Sequence, residues 1–359
     1  MCIIDPFGGS GTTGLVARLY GLDYEMWDLN PLMGIIHEIA TQPLFSFEPE
    51  VFIQQIRSYK GHWLPEWERL NYWYPEGSLA LLGQAWGYYH NLSDPLAKNL
   101  LTIPLLKATK LFTYNDAQRQ KLSRSPKAIA RVEALMQTDF VSRFYTALHE
   151  ELLRTARKLH EYRLLGGHAY SVRARVLAGV DTLTQSLQIE PHMRWNMLIT
   201  SPPYLQAQEY IRCSKLDLLW LGYTEEYIRS LSKHELPYKD VEPIEVLSPT
   251  YAAYRERITE PHLMRMYDRY FFAVLGALTN IAAQVSETLC LFVGQATVRG
   301  IRVPIDQIFA EHFERLGWFH EATLIDTIEA RVMFRARTNP ATGIEDARMP
   351  TEHMVILHR

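Results

Sequence analysis

The chain of 359 residues has little cysteine: Cys2, Cys213 and Cys290 stand far apart, with no CxxC pair and no Cys/His cluster. That spacing argues against a disulfide framework and against a zinc site, and it fits a reducing, cytoplasmic setting. No apolar run is long enough to cross a bilayer, so no membrane partner is expected. The opening Met1-Cys2-Ile3-Ile4-Asp5-Pro6 lacks the basic start and long apolar middle of a signal peptide. An excess of positive charge is also missing: 37 Lys and Arg stand against 40 Asp and Glu, a formal net charge of −3. A globally basic surface for nucleic acid is excluded, and any such surface has to be local. Internal repeats and low-complexity tracts are absent.

What is present is an ordinary globular composition, 47% hydrophobic and 21% charged, which predicts a sizeable core. The length exceeds that of a usual single-core domain, so one large domain with an insertion, or two domains, is expected. Residues 2–7 form an apolar burst. A glycine-rich turn follows, then a helical stretch from Thr12 to Tyr20, a stop at Gly21, and a short strand Tyr24-Glu25-Met26-Trp27 ending at Asp28. This is the strand–turn–helix–strand opening of an open α/β fold. Residues 45–165 carry helical spacing and weak strand signals, with turns expected near Pro75-Glu76-Gly77 and Ser125-Pro126. Strand character returns at 174–178 and 196–200. A helix is expected over about 209–221, irregular structure over 223–260, and a long helix over 262–283. A strand at 289–293, a helix at 305–316 and strands at 319–324 and 354–357 complete the reading. The expected organisation is an α/β domain made of residues 1–44 and 166–359, with a mostly helical insertion over 45–165.

Two local patterns carry chemistry. Gly9-Ser10-Gly11-Thr12-Thr13-Gly14 matches G-x-G-x-x-G, in which glycines let the backbone turn sharply and approach a ligand at a helix N-terminus. A P-loop is excluded, because no Lys follows the last glycine. A dinucleotide site remains open, since Asp28 ends the second strand where a carboxylate binds ribose hydroxyls, and so does a plain tight turn. The second pattern is Thr200-Ser201-Pro202-Pro203-Tyr204, directly after an apolar strand. It reads either as a proline turn or as a ligand-binding segment at the carboxyl end of a central strand.

Taken together, the two patterns resemble the amino-group DNA methyltransferases. Asp5-Pro6-Phe7-Gly8-Gly9-Ser10-Gly11-Thr12-Thr13 resembles that family's D-P-F-x-G-S-G-T-T cofactor motif throughout, and Ser201-Pro202-Pro203-Tyr204 resembles its catalytic (D/N/S)-P-P-(Y/F/W). Trp27-Asp28-Leu29-Asn30-Pro31 resembles the second cofactor segment. The resemblance implies a Rossmann-like fold that uses S-adenosylmethionine. Asp5, Pro6 and the backbone from Phe7 through Gly8, Gly9 and Ser10 to Gly11 would face the methionine part. Thr12 and Thr13 would open the helix, and Asp28 with Asn30 would serve the ribose. Asp181 stands near where the family often has a carboxylate for the cofactor's adenine amine; a plain surface Asp is the alternative. Ser201 Oγ and the Pro202 carbonyl, with Pro203 shaping the turn, would accept from the target amine. Tyr204 would stack on a base flipped from the duplex. Neither a metal nor a covalent adduct is called for.

Ser at the first position resembles the cytosine-N4 branch. The implied function is site-specific DNA methylation at cytosine N4 in a restriction–modification setting. The rivals are an adenine-N6 DNA or RNA amino-group methyltransferase, a degenerate or partner-dependent nucleic-acid-binding subunit, and, more distantly, a NAD-dependent dehydrogenase. The resemblance covers residues 2–31 and about 174–335. Within the later part, Gln295 and Ala296 depart from the family's strand-and-loop pattern. The sequence opens inside the first strand, so another segment, or a second chain or copy, is expected to complete the methionine pocket. Residues 107–131 hold Lys107, Lys110, Arg119, Lys121, Arg124, Lys127 and Arg131 against Asp116 alone. Of these, Lys121, Arg124 and Lys127 are the candidate DNA contacts, with Phe112 and Tyr114 nearby; the stretch from Arg154 to Arg175 is a second basic candidate. A solvated helical face is the alternative for both.

Overall fold

The structure is a computed structural model that describes residues 1–43, 48–119, 122–189, 194–205, 209–236, 239–328 and 351–359. It divides into two compact units: Met1–Gly34 with Tyr170–Tyr210 and Leu231–Arg359, and Ile35–Ala169 with Ile211–Ser230. Among the described residues, no helix is long and apolar enough to cross a membrane.

The first unit is α/β. Its strands are β1 (Cys2–Asp5), β2 (Asp23–Asp28), β3 (Ala174–Ala178), β4 (Trp195–Thr200), β5 (Val285–Gly294), β6 (Ala296–Val298), β7 (Ile301–Val303), β8 (Phe319–Thr327) and β9 (Thr351–His358). Seven of them form one sheet in the order β3-β2-β1-β4-β5-β9-β8, and β6 pairs with β7 in a separate hairpin. The first five are parallel. Strand β9 runs antiparallel to both β5 and β8. The architecture is compatible with a Rossmann-like fold. The chain builds outward from β1 to β3, then returns to place β4 on the other side of β1. That reversal is the topological switch point, where open α/β sheets leave a crevice at their carboxyl ends.

Parallel strands covered on both faces read as apolar runs, and β1 shows it: Ile3 and Ile4 are both buried. On one face, the helix Pro261–Ala282 lays Tyr267, Tyr270, Phe271, Val274, Leu278 and Ile281 into the core at helical spacing. The helix Ile305–Arg315 adds Ile305, Ile308, Phe309 and Phe313. The opposite face is thinner: Ile3, Ala17, Tyr24, Met26 and Met33. There the helix Thr12–Leu19 lies close on β2. A Cβ at Gly14 would meet Met26 Sδ at 2.6 Å and Tyr24 Cε2 at 2.7 Å, so the third glycine of the motif is required by packing.

The stretch 223–260, expected to be irregular, contains the helices Glu225–Lys233 and Pro249–Glu256. Their caps explain the difference. Thr224 Oγ1 accepts from Tyr227 N–H at 3.2 Å, ahead of Glu225 and Glu226 in the first turn. Ser248 Oγ accepts from Tyr251 N–H at 3.0 Å, with Pro249 opening the helix. The expected turn at 75–77 is instead the start of the helix Glu76–Asn91, whose N-cap is the extended Pro75. The turn expected at Ser125-Pro126 is likewise a helix start, Ser125 Oγ accepting from Ala128 N–H at 3.1 Å.

The second unit is helical, built on Pro49–Ser58, Glu76–Asn91, Pro95–Thr109, Pro126–Met136 and Phe140–Leu164. It is larger than the insertion read from the sequence, beginning at Ile35 and taking in Ile211–Ser230. The reason is aromatic. Trp220 stacks on Trp86 at a centroid distance of 5.4 Å and packs edge-on against Tyr74. The His90 ring also bonds the Trp220 carbonyl at 3.0 Å.

Candidate functional site

The glycine-rich loop leaves the carboxyl end of β1. Gly9 and Gly11 have φ of 55° and 81°, a region that L side chains rarely adopt, so these two positions need glycine. Gly8 N–H donates to the Trp27 carbonyl at 2.8 Å, tying the loop to the neighbouring strand. The helix Thr12–Leu19 that follows has no side-chain cap and no acidic residue in its first turn. Its amino end therefore stays free to receive an anionic group.

Asp5 is 4% exposed, and its carboxylate is a strut. Oδ1 accepts from Phe7 N–H at 3.1 Å and from Thr200 Oγ1 at 2.6 Å, while Oδ2 accepts from Thr13 Oγ1 at 2.6 Å. Burial raises the Asp5 carboxyl above its ordinary value, and the bonds from Thr13, Thr200 and Phe7 oppose that rise. One carboxylate thus joins the loop after β1, the helix that follows it and the last residue of β4. Pro6 is buried behind the loop, its carbonyl accepting from Thr182 Oγ1 at 2.7 Å. Gly9, Ser10 and Thr12 are exposed, and Ser10 Oγ and Thr12 Oγ1 share a hydrogen bond of 3.0 Å.

Asp28 ends β2 beside this loop. Its Oδ2 accepts from Gly9 N–H and its Oδ1 from Asn30 N–H, both at 2.7 Å. An ionised carboxylate offers about four acceptor sites, so each oxygen keeps one for a further donor. Burial pushes the Asp28 carboxyl up to about 6, against the two backbone bonds. Asn30 accepts Leu32 N–H at 3.1 Å and so turns the chain into its next helix. Asp181 lies at the end of β3's turn and caps the helix Thr182–Ser186, accepting from Leu183 N–H at 3.1 Å and Thr184 Oγ1 at 2.8 Å. Lys239 Nζ also donates to it. Burial works to raise its carboxyl, but the bonds from Lys239 and Thr184 outweigh that and hold it below the usual carboxylate range. Asp181 is therefore already engaged in capping and an ion pair. The adjacent Val180 N–H donates to the Asp28 carbonyl at 3.1 Å.

Ser201-Pro202-Pro203-Tyr204 follows β4 at the switch point. Ser201 is exposed, Pro202 is buried, and Pro203 and Tyr204 are intermediate. The Tyr204 phenol donates to Glu352 Oε1 at 2.7 Å. Burial, then the Glu352 carboxylate, drives its acidity well below that of a free phenol, and a hydrogen bond from the Ser201 side chain partly offsets this. The two motifs thus come together at the ends of adjacent strands β1 and β4, joined by Asp5 and Thr200, 195 positions apart. Sequence reasoning missed Glu352, Thr182 and Thr200 as members of the site. Thr200 was legible as the last residue of an apolar strand. Glu352 carried no local signal, because only the register of β9 brings it there.

In the helical unit, Lys121 lies outside the described residues. The Arg124 guanidinium sits over the Tyr72 ring at 4.3 Å and the Tyr114 ring at 4.7 Å, and its buried Nε has no hydrogen-bond partner among the described residues. Lys127 is exposed and donates to the neutral Gln118 Oε1 at 3.5 Å. Both flank or line a groove of about 520 Å³ or its hairpin wall, with Tyr74, Leu122 and Arg131 among the lining residues. Other cations of this stretch are spent on structure. Lys107 pairs with Glu151, Lys110 with Asp217, and Arg131 donates to the carbonyls of Leu111 and Thr113. Phe112 is fully buried and cannot touch a ligand at the surface. In the second basic stretch, Arg154, Arg157, Arg173 and Arg175 are paired with Glu151, Glu161, Asp23 and Glu25.

Comparison with protein-family models, with curated proteins and with solved structures finds no match to this chain.

Proposed function

We propose that the chain methylates an exocyclic amino group of a DNA base, cytosine N4 first among them, using S-adenosylmethionine. The observation that carries this reading is the meeting of Asp5–Thr13 and Ser201–Tyr204 across the β1/β4 switch point, fastened by the Asp5 carboxylate. The residues present fit the methyl donor. The uncapped first turn of the helix Thr12–Leu19 suits a carboxylate, and Asp28 retains acceptor capacity for ribose hydroxyls. When bound, S-adenosylmethionine supplies an electrophilic methyl group on a positive sulfur.

The chain's own task is to make a poor nucleophile ready. The lone pair of a base amine is delocalised into its ring. Acceptors at the N–H groups, here Ser201 Oγ and the Pro202 carbonyl, favour a pyramidal nitrogen with its lone pair aimed outward. Tyr204 offers a ring face to an unstacked base. Alignment of amine and methyl carries much of the rate. In the helical unit, Arg124 and Lys127 are the side chains proposed to meet DNA phosphates or bases.

A NAD-dependent dehydrogenase is disfavoured. The antiparallel β9 between β5 and β8 departs from the parallel strand order of a dinucleotide fold, and hydride transfer has no use for Ser-Pro-Pro-Tyr. The test is methyl transfer from labelled S-adenosylmethionine to unmethylated DNA, with product nucleosides resolved by mass. N4-methylcytosine is the expected product. N6-methyladenine would keep the mechanism and change the base. No transfer, with no cofactor binding, would sink the reading in favour of a binding subunit. Tyr204→Ala should abolish most activity while cofactor affinity stays within about twofold; a large loss of cofactor affinity would put Tyr204 in the cofactor pocket instead.

A further inference from the structure

We infer that Arg124 reads a guanine in the DNA that the chain binds, donating from its two terminal nitrogens to O6 and N7 in the major groove. This inference rests on the proposed function and gives one side chain of the helical unit a part in choosing the sequence.

Arg124 stands on the return arm of a short hairpin. Asn115 and Arg124 form an isolated antiparallel bridge, Asp116 N–H donates to the Ser123 carbonyl at 2.8 Å, and Ser123 N–H donates to Asn115 Oδ1 at 3.0 Å. Tyr114 N–H donates to the Trp73 carbonyl at 2.9 Å, which ties the hairpin to the short helix Leu70–Trp73. Tyr72 and Tyr114 are thereby fixed next to each other, and the Arg124 guanidinium lies over both rings, at 4.3 Å and 4.7 Å. Its Nε is buried without a partner. Nη1 and Nη2 form no hydrogen bond or ion pair among the described residues.

The means of holding this cation is what sets it apart. Lys107 and Lys110 are held by carboxylates, Arg119 pairs with Asp116 at 3.5 Å, and Arg131 is spent on two carbonyls. Each of those contacts orders a side chain by consuming its donors. A cation–π contact orders a guanidinium and consumes none. With Nε sealed, the terminal fork and its four N–H groups remain to meet a ligand. An unpartnered buried N–H is destabilising, so stability alone is a poor reason for this pose. A fork already restrained by two rings loses less rotamer freedom when it binds.

A flat fork with two parallel donors calls for two acceptors side by side. In the major groove guanine alone offers them, as O6 and N7. A phosphate also accepts a fork, but it carries no sequence, and a mobile lysine serves it as well. The exposed Lys127, three residues on, supplies such a cation. The division of labour is therefore Arg124 for a base edge and Lys127 for the backbone.

The experiment uses the full chain as wild type, Arg124→Ala, Arg124→Lys and Tyr72→Leu. Random duplexes retained by each protein are sequenced, and methyl transfer is timed on the selected duplex and on its single-base variants. The wild type should select a fixed guanine at one position. Arg124→Ala should lose roughly five- to 150-fold of the discrimination there, the worth of one bidentate pair, and keep its preferences elsewhere. Arg124→Lys keeps the charge without the fork and should lose it too, while Tyr72→Leu frees the guanidinium and should lose part. Replacing that guanine by 7-deazaguanine, which lacks the N7 acceptor, should slow the wild type and leave Arg124→Ala unaffected. Should the alanine variant not fold, the lysine variant and the modified base carry the test. A uniform loss over all sequences, with a salt slope flatter by about one unit, would make Arg124 a phosphate contact and overturn the inference. So would an unchanged preference in both Arg124 variants, which would leave it a structural residue. A wild type that selects guanine through Arg124 but transfers no methyl group would sink the methyltransferase reading and keep the contact. Methyl transfer without sequence preference would do the reverse, and a chain that binds no DNA would end both.

Discussion

Asp28 gives a prediction whose sign and size follow from its surroundings. Its carboxyl titrates at about 6 because it is buried. Both oxygens already accept a backbone N–H, and a ribose hydroxyl would donate into the remaining lone pairs. Those lone pairs are fully available only in the ionised form. At pH 7 the group is about 90% ionised and at pH 5 about 10%, so the competent fraction changes roughly ninefold to tenfold. The dissociation constant for S-adenosylhomocysteine should therefore weaken about tenfold from pH 7 to pH 5, close to 1.4 kcal/mol. The ligand's own α-amino and α-carboxyl groups titrate outside that window. Stability moves the other way. The folded value lies above the ordinary 3.8, so burial of the charge costs nothing below about pH 4 and most above pH 6. Asp28→Asn should remove both dependences and weaken binding at pH 7 by ten- to a hundredfold, the worth of hydrogen bonds to a charged acceptor. Calorimetric titration across pH 5–7 is the assay. An unchanged dissociation constant in the wild type, together with wild-type affinity in Asp28→Asn, would refute the ribose role.

Three further outcomes are expected. His312 is buried, its Nδ1 accepting from Leu247 N–H at 3.1 Å, and burial lowers its value to about 4. Because the folded value lies below the ordinary 6.5, the stability this neutral ring confers is complete above pH 6.5. It is lost as pH falls to 4, by about 3 kcal/mol; urea unfolding at pH 7 and pH 4.5, compared with His312→Gln, isolates that share. Gly14→Ala should destabilise the chain by about 1–3 kcal/mol, because the added methyl meets Met26 and Tyr24 below 3 Å; a thermal melt identical to the wild type would contradict the packing. Lys127→Ala should flatten the slope of log affinity for DNA against log salt by about one unit while leaving base preference alone, and an unchanged slope would remove Lys127 from the DNA surface.

The sheet and the two loops could be read from sequence because their signals are local. The glycines at 9 and 11 answer to backbone angles, and Thr200 closes an apolar run before a proline pair. What escaped was non-local or masked by composition. Glu352 reaches Tyr204 through strand pairing across 148 positions. The helix Tyr210–Trp220 read as an appendage of the catalytic loop, yet the Trp86 stack draws its end into the helical unit. The polar, Tyr-rich stretch 223–260 hid two helices whose Thr224 and Ser248 caps were visible all along. The basic run at 107–131 looked like one surface, but pairing with Glu151 and Asp217 leaves only part of it to meet a partner.

The interleaving of β9 between β5 and β8 has a consequence for the order of assembly. Strand β8 is made before β9, yet among the described residues its pairing in the sheet is with β9. While the chain is being synthesised, β5 presents an open edge and β8 has nothing to join. Unpaired edges of this kind invite association with other chains. The step that closes the edge is the same one that delivers Glu352 to Tyr204. A nascent chain would thus acquire its protection from aggregation and the completed tyrosine contact at one moment, and a truncation before Thr351 would forfeit both.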